Sequence, residues 1–249
     1  MMIQRDVHYT HDGTVMKGAL CAPPAASAAP GVLLVHDAFG LTPHILQIAQ
    51  SLTDLSFAVF AADVWGDRAQ PSHQAEIGPY IGSMVSDRPR WIARMHTALE
   101  TAAAQPEIDE SSLVALGYCF GASSALELLR SGGDLRGVIS IHGGLDLLES
   151  GADWSAADAS ARVLLCSGAD DPMATPDQRT SLQENLSGAG IEWELDLYSD
   201  TKHAFTSPHA RNSPAPEVVA YNELSATRAW TATTRFLSTI SSPLLPAKG

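Results

Sequence analysis

Between Val114 and Leu129 the chain reads VALGYCFGASSALELL, a stretch that few folds accommodate. An apolar run, Val114-Ala115-Leu116, enters Gly117-Tyr118-Cys119-Phe120-Gly121, and a helix-forming run from Ala122 to Leu129 leaves it. The pattern is G-x-C-x-G between a strand and a helix, with cysteine where the better-known motif carries serine. Such a turn forces its central residue into a strained backbone conformation, and the flanking glycines keep Cβ atoms out of a crowded crossing. The sulfur of Cys119 is then expected at the tip of a sheet, beside a helix N-terminus whose dipole favours thiolate. The competing reading is a buried cysteine in a glycine-rich turn. The rest of the chain decides between the two by supplying, or failing to supply, a base, a carboxylate and an oxyanion site.

Around this centre, short apolar runs alternate with helical patterns. Val7 to Tyr9 and Thr14 to Cys21 read as strands about the Asp12-Gly13 turn signal. Pro23 to Pro30 reads as a loop, and Gly31 to His36, Phe57 to Ala62, Val138 to His142 and Val163 to Ser167 as buried strands. Ile191 to Tyr198 alternates and reads as a half-exposed strand. Helices are expected over Pro43 to Asp54, Pro89 to Ala104, Pro176 to Ala189 and Glu217 to Ile240. Residues 68–87, interrupted by Pro71, Gly78, Pro79 and Gly82, read as an excursion over the edge or mouth of the sheet. Residues 241–249 form a proline-bearing tail. Together these predict one domain over 1–249, an α/β fold with a doubly wound, mainly parallel sheet flanked by helices. Ligands bind beyond the carboxyl ends of the strands in such sheets, so residues just after strands carry the information.

Three such residues form a set. His203 follows the last strand and is placed to take a proton from a nucleophile and return it to a leaving group. Nine histidines are present, so its weight comes from its position. Asp171, in Gly168-Ala169-Asp170-Asp171-Pro172, follows the Val163 strand and can hold an imidazole in one tautomer. Asp-Asp-Pro is also good turn chemistry, and Asp170 stays open, although the Gly-x-x-Asp spacing favours Asp171. The order nucleophile, acid, histidine is that of α/β-hydrolases. An oxyanion site needs two N–H donors, expected from Phe120 and from Ala38 in the loop after the Gly31 strand. Phe39, Trp65, Tyr80, Met84 and His142 fall where a pocket mouth belongs, with ordinary core as the competing reading for the aromatics. Arg88 and Arg90 are candidates to bind a substrate carboxylate, against the reading of a solvated helix start. Cys21 and Cys166 lie within strands and read as small core hydrophobes.

On Gly-Tyr-Cys-Phe-Gly at 117–121, His-Asp-Ala-Phe-Gly at 36–40 and Ala-Asp-Val-Trp-Gly at 62–66, the chain resembles the dienelactone hydrolase family. The Gly-Ala-Asp-Asp-Pro turn, Lys-His-Ala-Phe at 202–205, Tyr221 and Trp230 extend the resemblance over nearly the whole length, in family order. It implies an α/β-hydrolase fold, a Cys119-His203-Asp171 triad, no metal and no organic cofactor, and hydrolysis of small esters or lactones through an acyl-thioenzyme. The family usually carries glutamate after the third-strand run, where its carboxylate helps control the resting cysteine proton. Here that position is Asp37, one methylene shorter. An acidic group beside sulfur disfavours thiolate, so a resting thiol at Cys119 is expected if Asp37 reaches it.

Composition bounds the partners. With 28 acidic against 15 basic side chains the net charge is −13, which disfavours nucleic acid and anionic membranes as partners. The expected partner is a small ester or lactone; the sequence does not fix an oligomeric state. Three cysteines without a C-x-x-C pair, and no apolar signal segment, make a cytoplasmic location the expectation. Two other functions fit the same residues: cleavage of phosphotriesters by the same nucleophile, and a binding or redox-responsive protein whose Cys119 is oxidised rather than acylated.

Overall fold

The computed structural model describes residues 2–24, 27–71 and 73–241. Eight strands form one sheet: β1 (Ile3–His11), β2 (Thr14–Ala22), β3 (Ala29–Val35), β4 (Ala58–Ala62), β5 (Ile108–Tyr118), β6 (Gly137–Ile141), β7 (Arg162–Gly168) and β8 (Glu192–Tyr198). Their spatial order is β1-β2-β4-β3-β5-β6-β7-β8. The β1–β2 and β2–β4 pairs are antiparallel, and every pair from β4 to β8 is parallel. The β1–β2 hairpin closes through Asp12 (φ 48°) and Gly13 (φ 73°), the left-handed pair that an Asp-Gly turn supplies.

Both faces of the central strands are apolar because both are covered. Leu33 and Val35 of β3 face one core with Phe60 and Ala115; Val32 and Leu34 face the other with Val59 and Leu116. Helices α1 (Pro43–Asp54) and α6 (Glu223–Ser241) cover the second face through Ile45, Leu52, Ala229 and Phe236. Helices α2 (Gln74–Val85), α3 (Arg88–Ala103), α4 (Phe120–Arg130) and α5 (Pro176–Gly188) cover the first through Met84, Trp91, Leu126 and Leu182. From β3 the chain continues to β4 on one side and later to β5 on the other. The crevice beyond the β3 and β5 ends is therefore the topological switch point, where open α/β sheets bind ligands.

Three sequence expectations are corrected. Residues 74–85, within the irregular excursion, are helical as α2 despite Pro79. Ile77, Tyr80, Ile81 and Met84 recur at helical spacing, and Ile77 and Met84 are buried, so packing overrides local propensity. The loop expected through Pro30 is shorter, because Ala29 and Pro30 already belong to β3; the register shifts between Pro30 and Val32, a bulge that tolerates a missing N–H. The last helix begins at Glu223, not Glu217. Asn222 accepts from Ser225 N at 3.1 Å at its start, and residues 218–220 instead pair with the segment carrying His203. Apart from Ser241, the expected tail lies outside the described residues.

Candidate active site

The elbow at the end of β5 puts Cys119 at φ 53°, ψ −117°, a conformation that costs of order 1–3 kcal/mol and persists where neighbours over-determine it. The neighbours are main chain. A Cβ on Gly117 would lie 2.1 Å from Gly121 O, and one on Gly121 would lie 2.4 Å from both Val35 O and His36 O. Strand β5, the start of α4 and the end of β3 therefore meet at a distance that glycine alone permits. Cys119 N donates to Ile141 O at 3.0 Å, tying the elbow to β6.

Two side chains from two other loops converge above it. His203 Nε2 lies 3.0 Å from Cys119 Sγ, and His203 Nδ1 lies 2.9 Å from Asp171 Oδ2. The other oxygen, Asp171 Oδ1, accepts from Met173 N at 2.8 Å, so the carboxylate is anchored before it meets the imidazole. Asp171 and His203 are buried, whereas Asp170 is exposed, and it is Asp171 that faces the ring. Burial opposes charge on His203, but a thiolate at Cys119 and the Asp171 carboxylate outweigh it and raise its pKa to about 10. Such an arrangement can move a proton from Sγ to Nε2 while the carboxylate holds the Nδ1 proton.

Sequence reasoning missed what holds His203 in place. Its N–H donates to Val218 O (3.1 Å) and its carbonyl accepts from Ala220 N (3.2 Å), so residues 218–220 clamp it as a short strand would. The helix-start signal at Asn222 marks this segment in the sequence.

The loop after β3 supplies the facing wall. Ala38 is buried there, and among the described residues neither Ala38 N nor Phe120 N donates a hydrogen bond within the protein. Asp37 is also buried, and its Oδ1 accepts from Phe39 N at 2.9 Å. Burial pushes the Asp37 carboxyl up to about 6, against the pull of the Phe39 N–H, His209 and His203. Its hydrogen bond goes to this turn and not to Cys119 Sγ. Behind it, His36 Nε2 accepts from Val64 N (3.0 Å), which makes Nδ1 the donor to Asp37 O (2.7 Å). That neutral tautomer bolts the β3 end to the β4 end.

Aromatic rings line the β4 side. Trp65 packs on Phe120 at 4.5 Å and on Tyr80 at 5.3 Å, and Phe120 stacks on Trp91 at 5.2 Å. Asp63 holds the turn beneath Trp65 by accepting from Gly66 N, Arg68 N and Lys17 N, and Arg94 donates to the Val64 and Trp65 carbonyls. Phe39 is partly exposed opposite His209, 6.1 Å away. Met84 is buried in the core.

The other expected pocket residues are engaged by neighbours. Arg88 donates to Glu127 Oε1 (2.9 Å) and Leu147 O (2.8 Å), and Glu127 lies eight residues, about 12 Å, along α4 from Cys119. The structure thus does not bring Arg88 to the elbow. Arg90 lies in the first turn of α3, its N–H donating to Asp87 Oδ1. His142 is buried below the mouth, its Nε2 2.7 Å from Thr206 Oγ1 and its ring edge-on to His203 at 5.4 Å. Burial, reinforced by His203, holds it well below the ordinary histidine range. Among the described residues no group of three or more His, Cys, Asp and Glu side chains could hold a metal ion, and no helix is long and apolar enough to cross a membrane.

A mainly parallel sheet with a strand–elbow–helix at its centre, and with Cys119, Asp171 and His203 beyond its strand ends in that chain order, defines an α/β-hydrolase. The sequence profile of the dienelactone hydrolase family matches residues 16–241, and the chain belongs to that family. A solved structure described as m3DLH is 33% identical with a TM-score of 0.89, covering 97% of this chain and 99% of that one. A dienelactone hydrolase-like promiscuous phosphotriesterase from metagenomic libraries is 34% identical with a TM-score of 0.89, covering 96% and 98%. An uncharacterized protein of Caenorhabditis elegans is 28% identical over 156 residues, 62% of this chain and 97% of that protein.

Proposed function

We propose that the protein hydrolyses small carboxylic esters or lactones with Cys119 as nucleophile. The observation that carries this reading is the unbroken line from Cys119 Sγ through both nitrogens of His203 to Asp171, at 3.0 and 2.9 Å. His203 Nε2 takes the thiol proton as sulfur attacks the carbonyl carbon, and the negative charge collects on the carbonyl oxygen. The free N–H groups of Phe120 and Ala38 receive that oxygen. The tetrahedral adduct collapses to a thioester as the C–O bond to the leaving alkoxide breaks, and His203 gives the alkoxide its proton. Water then attacks the thioester, His203 accepts the water proton, and Cys119 leaves with it. Asp171 keeps Nδ1–H in place and favours the imidazolium at both stages. Asp37 acts on this proton transfer through its charge on His203, since its hydrogen bond is made within its own loop. Three free cysteines and no disulfide among the described residues fit the reducing interior of a cell, where we place the protein.

A second reading, cleavage of phosphotriesters by the same sulfur, is favoured by the 34% identity to a promiscuous phosphotriesterase. Initial rates on an aryl carboxylic ester, a five-membered lactone and an aryl phosphotriester, with wild type and Cys119→Ala, test both. Turnover of ester or lactone lost in Cys119→Ala is the expected result. Turnover of the phosphotriester alone would replace the first reading by the second, and undiminished rates in Cys119→Ala would overturn both.

A further inference from the structure

His203 sits in a loop fixed by main chain on the α6 side and by side-chain contacts on the sheet side. On the α6 side the chain is fixed by main chain: His203 to Val218 and Ala220, and Asn222 N to Phe205 O at 3.0 Å. On the sheet side, beyond the His203–Asp171 contact and the packing of Phe205, His142 Nε2 lies 2.7 Å from Thr206 Oγ1. We propose that His142 and Thr206 are a positioning pair that holds the His203 loop over Cys119. This rests on the reading of His203 as the base.

Four features support a role beyond filling space. His142 has φ 39°, unusual for a side chain with a Cβ, and its N–H is tied to Cys166 O at 2.8 Å, so its ring is aimed from a strained backbone. That ring meets His203 edge-on at 5.4 Å and Phe205 edge-on at 5.2 Å, touching the loop at two residues before the hydrogen bond holds it at a third. Its Nδ1 is buried without a partner. A buried unpaired N–H costs more than an unpaired ring nitrogen lone pair, so the proton belongs on Nε2 and Nε2–H donates to Thr206. Finally, Thr206 borders a crevice of about 150 Å³ shared with His44, Tyr118 and Trp230, so packing alone leaves the loop room to shift. The hydrogen bond removes that freedom. A neutral ring at this position also lets His203 charge without a like charge beside it.

Thr206→Val keeps shape and deletes the hydroxyl. Loss of this part-buried hydrogen bond, which keeps the His203 loop aligned, is expected to lower kcat about tenfold with KM within about twofold. Thr206→Ser should restore kcat, and a thermal melt should show the variant folded. His142→Phe, which keeps the ring and loses the donor, should lower kcat similarly, and the double variant should be no slower than either single one. If Thr206→Val does not fold, His142→Phe with its own melt carries the test. Wild-type kcat in Thr206→Val or His142→Phe, or additive losses in the double variant, would overturn the pairing. Activity surviving in Cys119→Ala would instead remove the functional reading beneath it.

Discussion

Replacing Asp37 by asparagine removes one buried charge while leaving its shape and its acceptor oxygen in place. Asp37 is 8% exposed, and its Oδ1 takes the Phe39 N–H, a bond that an asparagine oxygen can also make. Burial raises its pKa from 3.8 to about 6, so the folded protein binds this proton more tightly than the unfolded chain does. The sign follows from linkage. The folded state is favoured most below pH 3.8, and that advantage drains away as pH rises through about 6. The shift corresponds to about 3 kcal/mol, lost in full by pH 8 and about half lost at pH 5. Asparagine carries no proton to lose. Asp37→Asn should therefore be more stable than wild type by about 3 kcal/mol at pH 8, and by about half as much at pH 5. With a urea dependence of about 3 kcal/mol per molar, the pH 8 midpoint moves up by about 1 M. Urea titrations of both proteins at the two pH values measure it. A gap that is the same at both pH values, or a variant less stable at pH 8, would refute the reasoning. A carboxylate kept against its burial at this cost, near His203, is the pattern expected of a functional group.

Other perturbations test the remaining links. Gly121→Ala drives a Cβ against the main-chain oxygens of Val35 and His36 at the end of β3 and should cost about 3 kcal/mol in urea denaturation; a neutral substitution would contradict the crowding at the elbow. Asp171→Asn leaves His203 without its charged partner, and kcat on an aryl ester should fall by about a thousandfold or more with KM little changed. Arg88→Gln should lower stability by about 2 kcal/mol through loss of Glu127 and leave ester kcat/KM within about twofold, since the guanidinium is held away from the elbow. For the same reason, and because Asp37 lies beside the site, an uncharged aryl ester should exceed its carboxylate-bearing analogue in kcat/KM by about tenfold or more. The reverse preference would show an anchoring cation other than Arg88.

The parts of this molecule that were legible in the sequence share one property: their signal is local and repeated. Buried parallel strands are apolar throughout, so β3, β4, β6 and β7 could be read within a residue or two, and Asp12-Gly13 marked its hairpin. Gly117 and Gly121 marked the elbow because no side chain fits there. That Cys119, Asp171 and His203 meet was legible because the fold delivers residues just after strands to one edge of the sheet. What could not be read depends on distance through space. Helix α2 forms because Ile77 and Met84 find a core, which overrides Pro79 and Gly82. The segment 218–220 leaves the helical pattern because His203 offers it a backbone partner. Arg88 looked free, and Glu127, thirty-nine residues later, claims it. His142 looked like pocket lining, and its contacts are with Thr206, Tyr118, Phe205 and the His203 ring.

The claim on which the account turns is that the sulfur of Cys119 carries the acyl group. Acid quenching during steady turnover of an activated ester, followed by peptide mass spectrometry, reads this directly. The account predicts a mass increase equal to the acyl group on the peptide containing Cys119, labile to hydroxylamine as a thioester is, and absent from Cys119→Ala. An acyl adduct on another side chain, with turnover intact in Cys119→Ala, would contradict it.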